Sequence, residues 1–160
     1  MKINITTFAT AFAALTVSAQ AAYCPPRSAS PSEQRLIFAE FYQKLFTDMN
    51  ATQALIDHMA EDYIQHNPYA LSGLNNSIEA LSFVTPETVK FNVTFSGIDG
   101  DLAFVYLRMD IAGEPRPRAV VDLFRFNGSC IQEHWDVMQE RLDNATNPLD
   151  MCLRLSKLWV

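Results

Sequence analysis

Glycine is scarce: the chain has five in 160 residues, and none stands in a G-x-G-x-x-G or G-x-x-x-x-G-K-[ST] spacing. Loops that cradle phosphates need such glycines, so nucleotide cofactors are not expected. Positive charge is also scarce. Twelve Lys and Arg face eighteen Asp and Glu, giving a formal net charge of -6, and no basic run occurs. Binding a phosphate backbone requires clustered cations, so nucleic acid is not an expected partner. Three histidines and three cysteines show no metal-ligand spacing such as H-x-E-x-H, and no metal is implied. The nucleophile motif G-x-S-x-G is missing too. What these absences leave is proton transfer by side chains alone.

The N-terminus reads as a secretory signal. Lys2 precedes an uncharged, largely apolar run from Ile3 to Ala19, and Ala19-Gln20-Ala21 is a small-x-small cleavage site. Residues 1–21 are therefore expected to be removed, which moves the formal charge from -6 to -7. No later segment is apolar for long enough to span a membrane. Five N-x-Ser/Thr triplets follow, at Asn50, Asn75, Asn92, Asn127 and Asn144. They fit a glycosylated protein that is secreted or held in the endomembrane lumen. Residues 22–160, roughly 140 of them, suffice for one domain with its own core. Three cysteines allow three single bridges. The expected bridge joins the chain ends, Cys24 to Cys152, and leaves Cys130 free.

Helical signals come first. Ser30-Pro31-Ser32-Glu33 is a helix start with a capping box and proline at the first helical position. Ile37, Phe38, Phe41, Tyr42, Leu45 and Phe46 then recur at three- and four-residue spacing, which predicts a long amphipathic helix. A second, shorter helix is expected over Thr52 to Met59, with His58 a helix residue. A short extended piece, Tyr63-Ile64-Gln65-His66-Asn67-Pro68, follows it. Asn76 or Ser77 is expected to cap a third helix running to Phe83. Thr88 to Ser96 alternates, with Val89, Phe91, Val93 and Phe95 on one face, as in a half-buried antiparallel strand. Asp99-Gly100 turns into a strand from Leu102 to about Ile111. Helices before strands predict an α+β fold with helices packed on one face of an antiparallel sheet. Beyond Glu140, the Asn147-Pro148 break and the apolar Leu153, Leu155, Leu158 and Trp159 predict a short tail folded back on the domain.

The stretch from Ala119 to Gln139, AVVDLFRFNGSCIQEHWDVMQ, predicts a β-hairpin around Asn127-Gly128. Alternation in a strand puts His134 and Asp136 on one face and Glu133, Trp135 and Val137 on the other. A three-residue turn at Asn127-Gly128-Ser129 would set Phe126 opposite Cys130 and Asp122 opposite His134. A two-residue turn at Asn127-Gly128 would send Asp122 to the other face.

The run Glu133-His134-Trp135-Asp136-Val137, the preceding Asp122-Leu123-Phe124-Arg125, and Tyr63-Ile64-Gln65-His66-Asn67-Pro68 resemble the SnoaL-like polyketide cyclases of the nuclear transport factor 2-like superfamily. The match covers roughly residues 31–139. It implies a strongly curved antiparallel sheet wrapped into a cone and closed by N-terminal helices, also called a cystatin-like roll. It further implies a small apolar ligand inside the cone, a homodimer through the outer sheet face, and the first of the two hairpin registers.

Asp136 is the expected catalytic base, since the aspartate at this position of the motif moves the proton in the cyclases. Burial in an apolar cavity would raise its pKa and make it a better base. His134 would position Asp136 or shuttle its proton, Asp122 would fix the histidine tautomer or add a second carboxyl, and His66 would reach the cavity mouth. Arg108-Met109-Asp110 resembles the R-x-D of limonene-epoxide hydrolases, which implies Asp110 as an acid, Arg108 as its orienting group and Asp136 as the base for water. Tyr106, Phe124 and Ile64 complete the expected binding wall. The resulting expectation is a cofactor-independent acid–base enzyme on a hydrophobic polyketide- or terpenoid-type metabolite, with epoxide opening as the leading reaction. An intramolecular aldol cyclase is the first alternative, and a binding or dimerisation module without turnover the second. Catalysis requires at least two of Asp136, His134, Asp122, His66 and Asp110 to converge in one cavity.

Overall fold

The computed structural model describes residues 23–152. The expected signal segment and the tail residues Leu153, Leu155, Leu158 and Trp159 lie outside them. Helix α1 spans Pro31–Tyr42 and starts as its sequence dictates: Ser30 Oγ accepts from the Glu33 backbone N–H, and the Glu33 carboxylate accepts from the Ser30 N–H at 2.8 Å. A π-helical turn, Gln43–Thr47, continues it and keeps Leu45 and Phe46 buried beside Ile37, Phe38 and Phe41. Helix α2, Ala51–His58, is capped by the Asn50 side chain. Strand β1 is Met59–Gln65, helix α3 Leu74–Ala80, and strands β2 to β5 are Val89–Asp99, Leu102–Ile111, Arg118–Asn127 and Cys130–Glu140.

The expected α+β arrangement is found. One five-stranded sheet runs β1-β5-β4-β3-β2, an antiparallel meander with β1 added parallel to its last strand. Helices cover its concave face. Phe41 packs edge-on against Phe124 at 5.0 Å and Phe46 against Phe91 at 5.4 Å, joining α1 and the π turn to the sheet. On β3 the alternation is plain. Ala103, Val105, Leu107 and Met109 are buried, while Phe104, Tyr106, Arg108 and Asp110 face outward.

Three expectations about register need correction. The bulge in β2 adds Thr94 between Val93, opposite Leu107, and Phe95, opposite Tyr106. An extra residue reverses parity, so Phe95 leaves the face of Val89, Phe91 and Val93 and stacks on Tyr106 outside. Helix α3 begins at Leu74, not near Asn76, because the Gly73 N–H is pinned to the Tyr63 carbonyl at 2.7 Å and only glycine readily takes its φ of 101°. Ser77 thus lies inside the helix. The hairpin uses neither expected turn: its loop is Gly128-Ser129, with Asn127 opposite Cys130, and Gln132 is an extra residue between the Phe126–Ile131 and Arg125–Glu133 pairs. Asp122 therefore faces Asp136, and Phe124 faces His134.

The expected Cys24–Cys152 bridge is also wrong. Cys24 is bonded to Cys130, and Cys152 is free. The lead-in before α1 runs across the hairpin loop, where Ser129 N–H donates to Arg27 O at 2.9 Å and Ser129 Oγ to Tyr23 O at 2.6 Å. A Cβ on Gly128 would lie 2.1 Å from Arg27 O, so the crossing requires glycine there. The C-terminal segment goes elsewhere. Thr94 Oγ1 donates to Cys152 O and Tyr106 Oη to Met151 O on the outer face of β2 and β3, carrying Cys152 away from the lead-in.

The bridge closes a loop with a sequence separation of 106 residues. Its loss is expected to cost about 2–4 kcal/mol by restricting the unfolded chain less. Non-reducing peptide mapping is expected to recover a Cys24–Cys130 pair, and Cys24→Ser with Cys130→Ser is expected to lower the midpoint of urea unfolding well below that of Cys152→Ser.

Candidate active site

Between the helices and the concave sheet face lies a cavity of about 250 Å³. Phe46, Leu81, Phe91, Leu107, Val120 and Phe124 give most of its wall an apolar character. Asp122 from β4, His134 and Asp136 from β5, and Tyr63, Gln65 and Asn67 from the end of β1 bring polar groups into it. Two features of chain geometry assemble them. The Gln132 bulge restores the parity that a two-residue loop would have reversed, so Asp122, His134 and Asp136 share the inner face. The parallel pairing of Gln65 with His134 then sets residues 63, 65 and 67 beside that face.

Hydrogen bonds fix the proton positions. Gln65 Oε1 accepts the Asn67 backbone N–H at 3.0 Å, which orients the amide, and the same oxygen lies 2.9 Å from His134 Nδ1. Nδ1 must therefore carry a hydrogen, because an amide oxygen has none to give. Nε2 faces Asp122 Oδ1 at 3.2 Å, so one proton is shared between imidazole and carboxyl. A second amide is oriented the same way. Asn67 Oδ1 accepts the Tyr69 N–H at 2.8 Å, turning Asn67 Nδ2 to donate to Asp136 Oδ2 at 2.6 Å. Asp136 is thereby held as an acceptor, as befits a carboxylate.

Burial dominates the electrostatics of Asp122. Burial pushes the Asp122 carboxyl above the usual range, His134 pulls it back through hydrogen bond and charge, and Asp136 raises it further. Tyr63 is 1% exposed, and burial followed by the charges of Asp122 and Asp136 drives its phenol far up, so it remains an O–H donor. Donor atoms of Asp122, His134 and Asp136 lie within 4.8 Å of one another, and these three side chains could hold a cation. An ion on Nε2 would have to displace the Asp122 bond.

Four of the expected site residues point away. His66 stacks on Trp135 at 4.8 Å and bonds Glu133 Oε1 at 2.8 Å, on the outer face. Ile64, 40% exposed, shares its parity. Arg108 and Asp110 form an outer ion pair at 2.7 Å, joined by Asp150, and the Arg108 guanidinium holds Asp110 below its ordinary range. Asp110 is thus an outward-facing carboxylate unsuited to donate a proton in the cavity. A fifth, Tyr106, is covered by the C-terminal segment. Phe124 is where it was expected, stacked against His134 at 4.8 Å. Tyr63, Gln65 and Asn67 reach the cavity instead, and strand alternation is the signal that marks them: they are the other parity of the stretch that holds Ile64 and His66. The asparagines of all five sequons are exposed.

A raised carboxyl has a definite linkage sign. The folded protein binds the Asp122 proton more tightly than the unfolded chain does, so this group costs stability as pH rises from about 4, its ordinary unfolded pKa, through its raised folded value. Asp122→Asn is expected to gain stability relative to wild type between pH 4 and pH 7 in thermal unfolding. A relative loss over that interval would mean that Asp122 is held ionised.

No protein-family model and no curated protein matches the sequence. Solved structures do. A protein from Kribbella flavida described as a ketosteroid isomerase aligns at TM-score 0.59 and 14% identity, covering 78% of this chain and 90% of its own. An NTF-2-like protein from Burkholderia xenovorans aligns at TM-score 0.57 and 18% identity, over 72% and 89%. A protein from Jannaschia sp. CCS1 described as a SnoaL-like polyketide cyclase aligns at TM-score 0.54 and 16% identity, over 70% and 90%. The chain has the cone fold shared by SnoaL-like and other nuclear transport factor 2-like proteins.

Proposed function

We propose that the protein is a cofactor-independent acid–base enzyme acting on a small hydrophobic metabolite, and that its reaction is epoxide opening. The observation that carries this reading is the pairing of two carboxyls in different states within one apolar cavity. Asp136 is held as an acceptor by Asn67, and Asp122 shares a proton with His134. Asp136 takes a proton from water as the water oxygen attacks an epoxide carbon. The Asp122–His134 pair gives its proton to the departing epoxide oxygen, and the proton on Asp136 then returns to that pair. Tyr63, which lines the same cavity and keeps its phenolic proton, would hydrogen-bond the same oxygen. The names of structural neighbours, a polyketide cyclase and a ketosteroid isomerase, support small-molecule proton transfer as the broader class. An aldol closure needs only the base and is the competing chemistry. Secretion after cleavage near Ala21, with glycans on some of the five sequons, completes the proposal; an intact Met1 and an unglycosylated chain, seen by mass spectrometry after expression in a eukaryotic host, would contradict it.

Asp136→Asn keeps the side chain's size and removes the base, and is expected to lower turnover about 10²- to 10⁴-fold with an unchanged circular dichroism spectrum. Asp110→Asn, on the outer face, is expected to leave turnover within twofold. In ¹⁸O-water, a racemic epoxide probe such as styrene oxide or limonene oxide is expected to yield a diol with one heavy oxygen, after subtraction of the reaction without enzyme. A carbon–carbon cyclised product from a diketone probe, unlabelled and formed at full rate by Asp122→Asn, would favour the one-base cyclase instead.

A further inference from the structure

The Ser77 hydroxyl is an orphan on the cavity wall. Ser77 is 3% exposed and contributes to the cavity lining, yet its Oγ makes no hydrogen bond. A serine inside a helix can satisfy its hydroxyl at the carbonyl four residues back. Here that carbonyl, Gly73 O, accepts the Ser77 backbone N–H at 3.1 Å, and the hydroxyl stays unbonded. Its companions on the same part of the wall, Ala80, Leu81 and Val84, offer no polar side chain. A buried, unpaired hydroxyl is costly to maintain, and a cavity is where such a cost is recovered by a ligand.

We propose that Ser77 is a ligand-anchoring residue whose hydroxyl bonds a second polar group of the molecule held at Asp122, His134 and Asp136. This rests on the cavity being a small-molecule site, and it names the ligand class: a compact molecule with two oxygen functions on an apolar body. One function meets the acid–base cluster contributed by β4 and β5, and the other meets α3. Size restricts the class further. A cavity of about 150 Å³ holds benzene. The 250 Å³ available here therefore suits a one- or two-ring body of about ten heavy atoms.

The test uses 2-naphthol, with one oxygen, and naphthalene-2,6-diol and naphthalene-2,7-diol, with two, titrated by fluorescence against the secreted protein. One added hydrogen bond is expected to make at least one diol bind about three- to tenfold more tightly than 2-naphthol. Ser77→Ala is expected to abolish that advantage while keeping 2-naphthol within twofold of wild type. The substitution also removes the Asn75 sequon, so Asn75→Gln is the control, and it is expected to bind all three probes as wild type does. Equal binding of 2-naphthol and both diols by wild type, or an undiminished diol advantage in Ser77→Ala, overturns the role of Ser77 alone. Failure of all three probes to bind wild type overturns the cavity reading together with it.

Discussion

One amide oxygen sets the state of the cavity. Gln65 Oε1 receives the Asn67 backbone N–H and the His134 Nδ1–H, and this double acceptance decides which histidine nitrogen is left to face Asp122. A rotated amide would offer Nε2 hydrogens to both neighbours, leaving the Asn67 N–H without an acceptor and forcing the opposite tautomer. The backbone of the chain after β1 thus determines the protonation of a side chain on β5. Asn67 repeats the device one turn of alternation later, with the Tyr69 N–H on its oxygen and Asp136 on its nitrogen. Two neutral amides, each locked by a main-chain donor, orient His134 and Asp136.

That arrangement depends on irregularities in the strands. A regular β4–β5 hairpin closed by Gly128-Ser129 would set Asp122 on the Trp135 face, outside the cone. The extra Gln132 prevents this, and its amide bonds Asp62 Oδ1 at 2.9 Å on the neighbouring strand, so the bulge is anchored where it is needed. Behind the loop, the Cys24–Cys130 bridge and the contacts of Arg27 and Tyr23 hold the turn against the lead-in. The first residues of the described chain therefore stabilise the hairpin that carries Asp122, His134 and Asp136. The outer sheet face is organised separately, by the Arg108–Asp110–Asp150 cluster and the His66–Trp135 stack.

Much of this was legible in the residues. The Ser30–Glu33 capping box, the apolar face of α1, the extent of β3 and the shared face of His134 and Asp136 follow from local spacing, and local spacing is what helices and single strands obey. Pairing is different, because it depends on bulges that no residue announces. Thr94 and Gln132 are ordinary strand residues; Thr94 inverts the expected facing of Phe95, and Gln132 keeps Asp122 on the face of His134 and Asp136 while moving its direct partner from His134 to Asp136. The His66–Asn67 stretch shows the same difficulty in another form. Its histidine attracted the chemical expectation, while the neutral Tyr63, Gln65 and Asn67 of the other parity reach the cavity. Arg108 and Asp110 were placed correctly relative to each other and on the wrong side of the sheet, since alternation fixes a shared face and not which face is inside. The Cys24–Cys130 bridge is not legible in the spacing of three cysteines, because closeness of Cys24 to the hairpin loop is a tertiary fact.

Gln65 makes His134 an Nδ1–H tautomer whose Nε2 shares its proton with Asp122. Long-range ¹H–¹⁵N correlation spectra of the ¹⁵N-labelled protein, with the His134 ring assigned by comparison with His134→Gln, report both ring nitrogens directly. Wild type at pH 7 is expected to show a protonated Nδ1, and Gln65→Leu a shift of the ring away from that tautomer. A bare Nδ1 in wild type, or an Nδ1–H signal indifferent to Gln65→Leu, would contradict this assignment.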